Sequence, residues 1–369
     1  VDQWILAANT LRLKLLLQTS KVNAGVATEI QQLIDDDELI TSSDDDFALR
    51  FGALQEPDDR HPMYQDGYAG GEAAYNYFGH QLMVEMLESR DPRVPLYFKR
   101  QTEDVLDIND PTDKQTIPCS QRTDCVYGYL VTNPAMTNRI YGVDPGSMTE
   151  EQEAYLAGFF GRDRADPTGV PNDNPLRTIP GVYPSGGLFD SEAGPGGGNQ
   201  GRGDGIFPMI TSWMTYFYML EAQLTLPVNT GMTNAELLEL ALTAQFDKTL
   251  EIAGQSGVET DVTAWDATYA WPLTYTAPEV FIGDVLVGYA AATNKLNFVM
   301  KQAWFANFGN GFEIYNAYRR TGFPSTLQVP LQTPRSFPFR LPYAQSELNL
   351  NASTPTVIYD VDKVFWDVD

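Results

Sequence analysis

The chain has 369 residues, 43% apolar and 20% charged, the composition of an ordered globular protein with core enough for one large domain or two ordinary ones. Acidic residues outnumber basic ones 49 to 24, and the resulting formal net charge of −25 repels phosphate backbones and argues against a nucleic-acid partner. Such a surface favours a neutral or cationic ligand and divalent cations, and no apolar run reaches the ~18 residues that a membrane span requires.

Val1 is not an initiator and no signal segment follows it, so the chain reads as preceded by further sequence. The spacing of Trp4, Ala8, Leu11 and Leu15 predicts an amphipathic helix over 2–20, with Asn9, Arg12 and Gln18 off the stripe. After a short break a second helix carries Val26, Ile30, Leu33 and Ile34 on one face, which makes a helical hairpin. The acidic run that follows, DDDELITSSDDD, has two readings, a solvated loop or a calcium site. A polar loop, RHPMYQDGYAGG, precedes a helix expected over 72–88, which ends into Asp91–Phe98.

From Lys99 to Gly205 helical periodicity is lost and Gly, Pro, Asp and Asn are dense. So long a stretch is read as an irregular subdomain packed on the helices, a usual place for recognition. It holds both cysteines, Cys119 and Cys125, which are either unrelated thiols or a local disulfide that points to an extracytoplasmic location. The two histidines, His61 and His80, leave little for a histidine-rich metal site. Pro208 is expected to open the next helix, with Met209, Trp213, Tyr216, Leu220 and Leu224 on one face. Thr233 with Glu236 forms a capping box ahead of a helix whose apolar face is Leu238, Leu242, Phe246, Leu250 and Ala253, a second hairpin. The aromatic-rich loop 262–278 follows, then further helices to about Arg320 and a Pro-rich tail. The division is therefore 1–98, 99–205 and 206–369, without a fixed-period repeat.

The segment KQAWFANFGNGFEIYNAYRRTGFPS, 301–325, resembles the SusD/RagB family through Trp304, Asn310, Gly311, Glu313, Tyr315 and the string Arg319 to Pro324. Four further segments are similar to family motifs and stand in the family's order: WILAANTLRLKLLLQTSKVN, DPRVPLYF, PMITSWMTYFYMLEAQL and FPFRLPYAQSELNLN. Trp213-Met214 and Ala344 depart from the family pattern. The resemblance implies a mainly α, SusD-like fold of tetratricopeptide-like hairpins with a large irregular subdomain. It further implies a non-enzymatic, glycan-binding outer-membrane lipoprotein, anchored through an N-terminal lipidated Cys that this sequence does not contain, and partnered with a SusC-like TonB-dependent transporter. No cofactor is implied. The motif strings themselves read as scaffold.

A glycan binder needs aromatic platforms beside a few polar side chains, because sugar rings have apolar faces and polar rims. The irregular segments supply Tyr64, Tyr68, Tyr127, Tyr129, Phe159, Phe160 and Tyr183, with Arg162 and Asp163 adjacent. The loop 262–278 adds Trp265, Tyr269 and Trp271. For each ring the competing reading is a loop anchor in the core. Two other function classes stand beside glycan delivery: a glycoside hydrolase with paired carboxylates, for which no motif pairs the acids, and a helical-repeat scaffold that binds only proteins.

Overall fold

A computed structural model describes residues 1–69, 77–101, 110–111, 159, 161–165, 177–190, 201–263, 276–330 and 337–368. The fold is mainly helical, as the periodicity at both ends of the chain predicts. The opening hairpin is α1 (Asp2–Gln18) and α2 (Val26–Asp35). On α2 the expected residues Val26, Ile30 and Leu33 are buried.

On α1 the buried face is not the expected one. Ala7, Thr10, Leu13, Leu17 and Gln18 point inward, whereas Trp4 and Leu15 are 71% and 55% exposed. The reason is tertiary hydrogen bonding, which apolar spacing does not register. The Thr10 hydroxyl accepts the Ile40 N–H at 2.9 Å, and the Gln18 side-chain oxygen accepts from Arg320. Two polar residues with buried partners thus turn the helix away from its most apolar stripe.

After α2 the acidic run crosses the surface while burying Leu39 and Ile40 in its middle. It leads into β1 (Phe47–Arg50), which pairs antiparallel with β4 (Ile206–Ile210), Phe47 opposite Ile210 and Arg50 opposite Ile206. Pro208 therefore lies in a strand rather than at a helix start. Helix α6 begins at Ser212 and runs to Thr225. The carboxylate of Asp46 sets this boundary by accepting the Ser212 N–H at 2.7 Å, so an acid from the preceding strand entry meets the positive helix end.

A single turn, α3 (Pro62–Tyr64), precedes α4, which spans His80–Glu88; of the helix expected over 72–88, residues 72–76 lie outside the described residues and 77–79 are not helical. Next come α5 (Val94–Tyr97) and β2 (Phe98–Lys99), the latter paired with β3 (Ile179–Pro180). Gly181 permits this close approach, since a Cβ there would stand 2.4 Å from the Leu96 carbonyl oxygen. Helix α7 (Asn234–Gln255) carries the capping box complete, with Thr233 and Glu236 bonded in both directions. Leu238, Leu242, Phe246 and Ala253 are buried on it as expected, and Leu250 is half-buried. Helices α8 (Pro278–Ala291), α9 (Lys295–Ala306), α10 (Gly311–Thr321) and the exposed α11 (Gln345–Leu350) complete the described helices. Gly322, at φ 72°, ends α10 in the left-handed conformation that glycine adopts without strain.

The apolar side chains form two main cores. One unites α1, α2 and α6 to α9 around Trp213 and Leu220. The other packs α4, α5 and β2 with Phe159, Val182, Tyr183 and Phe189 against the ends of α7 and α9. Between them buried ions are paired. Arg93 forms a two-bond contact with Asp91 and a third bond with Gln245, and Arg100 meets Asp190 at 2.8 Å. No described helix is long and apolar enough to cross a membrane. Among the described residues no group of three His, Cys, Asp or Glu is placed to hold a metal ion.

Candidate functional site: a ring-lined cleft

A cleft of about 420 Å³ opens where the segment 162–164 meets the start of α4, the α9–α10 corner and residues 327–328 and 337. Its walls are rings and aliphatic side chains: Tyr77, Leu82, Trp304, Ile314, Tyr315, Tyr318, Leu327 and Phe337. Its polar residues are Arg162, Asp163, Arg164, Gln81 and Gln328. Apolar walls with a few fixed polar groups describe a small-ligand site.

Local sequence explains how each wall is held. Tyr315 and Tyr318 are three apart on α10 and so share one face of it. The Tyr315 hydroxyl donates to the Pro338 carbonyl at 2.6 Å, which ties the tail to the helix, and Phe337 packs against Tyr318 with ring centres 4.6 Å apart. Trp304 lies on α9 one helical turn after Lys301, whose ammonium pairs with the buried Glu85 at 2.6 Å. The segment bearing the arginines is pinned to α4 through backbone: His80 N–H donates to the Arg162 carbonyl and Arg162 N–H donates to Phe78, each at 2.9 Å.

Under the cleft runs a chain of amides. The Gln328 side chain accepts the Arg164 N–H and donates to the Asp163 carboxylate, both at 3.0 Å. Gln81 in turn accepts the Gln328 N–H and donates to Glu85 and to the Thr326 carbonyl, each at 2.5 Å. Asp163 and His80 are buried side by side, and burial drives the His80 pKa down while the nearby carboxylate opposes it. These side chains fix the geometry of the segment from below, so its arginines are presented by a rigid base.

The sequence-derived candidates separate into three groups. Arg162 and Asp163 meet at the cleft, the first half-buried along the wall and the second turned inward. Tyr68, Phe159 and Tyr183 do not reach it, and each is held as a structural ring. Tyr68 stacks on Tyr64 at 4.8 Å, and its hydroxyl donates to the Pro180 carbonyl and accepts the Leu188 N–H. Phe159 is buried beneath the Arg100 guanidinium, and Tyr183 is buried against Tyr97 at 5.3 Å. Tyr127, Tyr129, Phe160, Trp265, Tyr269, Trp271, Cys119 and Cys125 lie outside the described residues.

Of the rings that line the cleft, Trp304, Tyr315 and Tyr318 were read from sequence as motif scaffold, Phe337 as part of the tail and Tyr77 as part of the helix expected over 72–88. Tyr315 and Tyr318 carried a usable signal, because both sit on the half of α10 opposite the buried Glu313 and Arg320. Tyr77 and Phe337 carried none, since each is placed by contacts distant in sequence. A second, smaller cleft of about 350 Å³ shares Tyr77 and is bordered by Met63, Pro180 and the Asp66–Arg177 pair.

A family model described as SusD-like, starch-binding and associating with the outer membrane, matches residues 1–115 and 228–344. Among solved structures, a chitin-binding SusD homologue from Flavobacterium johnsoniae superposes with TM-score 0.57 at 17% identity, over 100% of this chain and 64% of its own. A SusD homologue from Bacteroides fragilis gives 0.54 at 16%, over 95% of this chain and 62% of its own. A Bacteroidetes SusD-like protein gives 0.58 at 19%, over 100% and 70%. The chain thus spans less than two thirds of the first two, and at these identities the likeness shows a shared fold. No curated protein matches the chain.

Proposed function

The chain belongs to the SusD-like family, described as starch-binding and associating with the outer membrane, and from that premise we propose that it binds oligosaccharide at the cell surface and passes it to a SusC-like TonB-dependent transporter. In this reading the whole protein is held to the outer membrane by a lipid anchor. The observation that carries the site assignment is the cleft walled by Trp304, Tyr315 and Tyr318 with arginines at its rim. Rings offer flat apolar area to the C–H faces of sugars, and the guanidinium groups offer donors to hydroxyl or acidic substituents.

The protein is a binder without turnover in this account. Hydrolysis of a glycosidic bond calls for two carboxylates facing each other across the substrate. Among the described lining residues Asp163 is the sole carboxylate, and it is engaged by Gln328. Calorimetric titration with an oligosaccharide panel, followed by assay of reducing ends, tests the reading. Binding without release of new ends supports it; protein-dependent release overturns it. Co-purification with a SusC-like transporter tests the delivery step.

A further inference from the structure

The smaller cleft, of about 350 Å³, adjoins the larger one along a single stretch of chain. Tyr77 lines both clefts, Phe78 lines the smaller and Gly79 the larger. Successive residues of a non-helical chain advance by only about 3.3 Å, so Tyr77 stands as the ridge between two neighbouring hollows. The ridge is fixed. The Arg162 guanidinium lies 4.7 Å from the Tyr77 ring centre, and the Arg162 N–H donates to the Phe78 carbonyl at 2.9 Å.

One wall of the smaller cleft is a braced turn. Pro62 and Met63 open α3, and Asp66 follows in the wide turn Gln65–Ala69 that continues it; all three line the cleft. The His61 ring accepts the Met63 N–H at 3.1 Å, and the Tyr68 hydroxyl ties the turn to the Pro180 carbonyl at 2.7 Å. Arg177 grips Asp66 twice. One Nη donates to carboxylate Oδ2 at 3.1 Å and the other to the Asp66 backbone carbonyl at 2.7 Å. The two partners are unequally exposed, the Arg177 side chain at 2% and that of Asp66 at 20%. The other carboxylate oxygen, Oδ1, has no hydrogen-bond partner among the described residues. A carboxylate can accept about four hydrogen bonds, so the buried guanidinium orients the acid and leaves acceptor capacity on the side that opens to the cleft. Met63, Phe78 and Pro180 supply apolar wall beside it.

We propose that the smaller cleft is a second sugar subsite with Asp66 as its specificity-determining residue, and that the ligand is an oligosaccharide long enough to cross Tyr77 and occupy both clefts. The inference rests on the glycan-binding reading of the larger cleft. The sugar unit in the second subsite is uncharged. Its hydroxyls donate to the Asp66 carboxylate in charge-assisted hydrogen bonds, and its C–H face meets the apolar wall. A uronate or sulfate there would meet a like charge, because the exposed member of the ion pair is the acid. Ligand pockets run to about 300–1,000 Å³, so clefts of 420 and 350 Å³ are each small and together suit a longer chain. Once one end of that chain is bound, the second contact is intramolecular and strengthens binding through a high effective concentration. Arg177 is a positioning residue in this scheme, since it acts through Asp66.

The test is calorimetric titration of the chain with malto-, cello-, xylo- and chito-oligosaccharides and with oligogalacturonate, each as a series from disaccharide to octasaccharide. In a neutral series that binds, affinity is expected to climb about tenfold or more once the oligosaccharide reaches both subsites. A single subsite would give longer chains only the statistical gain of extra registers. D66N keeps the side-chain size and removes the charge, and it is expected to erase the step. Long members should weaken about tenfold while the shortest member that binds is unchanged. Trp304→Ala, in the larger cleft, should weaken short and long members alike. Circular dichroism of each variant controls for folding, and the length profile of the parent chain needs no variant. A profile without the step, or a folded D66N that weakens all lengths equally or none, overturns the second subsite while leaving glycan binding standing. Binding of the oligogalacturonate series alone does the same. Failure of every series to bind overturns the glycan reading and this inference with it.

Discussion

Arg320 and Glu221, remote in sequence, meet in a buried two-bond ion pair, Nε to Oε1 at 2.6 Å and Nη2 to Oε2 at 2.7 Å. Gln18 accepts a further bond from the same guanidinium, and Lys14, on the same helix, pairs with the buried Glu313. Three of the strings that carry the family resemblance, on α1, α6 and α10, are thus parts of one polar knot. Their spacing in sequence is set by which residues meet inside it.

Breaking the knot from one side leaves an ion buried and unpaired. Arg320→Met and Glu221→Gln are each expected to cost about 3–5 kcal/mol. Replacing both by apolar residues of similar volume removes the stranded charge, so the double variant is expected to be more stable than either single one. Urea denaturation followed by circular dichroism reads all three.

Asp46 makes stability depend on pH. Burial raises its pKa from 3.8 to about 6, against the lowering effects of the Ser212 N–H and Lys248. A carboxyl whose folded pKa lies above its unfolded value favours the folded state most below the unfolded pKa, and that contribution is lost as pH rises through about 6. Asn keeps the oxygen that accepts from Ser212 and cannot ionise. Asp46→Asn should therefore gain stability relative to the parent between pH 4 and pH 7, by up to about 3 kcal/mol. Parallel melting curves across that range measure the difference, and its sign is the test.

The capping box at α7 gives a smaller, local prediction. Thr233→Ala removes the oxygen that accepts the Glu236 N–H at 3.2 Å and the hydroxyl donated to the Glu236 carboxylate. A loss of about 1 kcal/mol is expected, read from the denaturation midpoint.

Cys119 and Cys125 are expected to form a disulfide. A loop of this size gains roughly 2 kcal/mol from closure in the chain-entropy picture. Intact mass before and after reduction and alkylation decides the pairing, and two alkylatable thiols in the native protein would remove it.

Much of the fold was legible in the sequence because helix signals are local. The capping box of Thr233 and Glu236 and the apolar faces of α2 and α7 all depend on neighbours within a turn or two. What failed depends on distant partners. The face of α1 is decided by Ile40 and Arg320, the start of α6 by Asp46, and neither bond leaves a periodic trace. Of the cleft's lining, only Arg162 and Asp163 were named as candidates from the sequence, since a dense run of aromatic and polar residues marks a recognition segment without saying which rings become core. Phe159 and Tyr183 entered the core, and the rings of α9 and α10 took the wall.

The central claim is that the ring-lined cleft is where glycan binds, and titration of Trp304→Ala tests it most directly. Trp304 is half-buried and lines the cleft from α9, so its removal deletes the largest platform. For an oligosaccharide bound by the parent chain, the account predicts a loss of affinity of about tenfold or more, the scale of one ring–sugar contact, in a variant whose circular dichroism is unchanged. Unaltered affinity in that folded variant would contradict it.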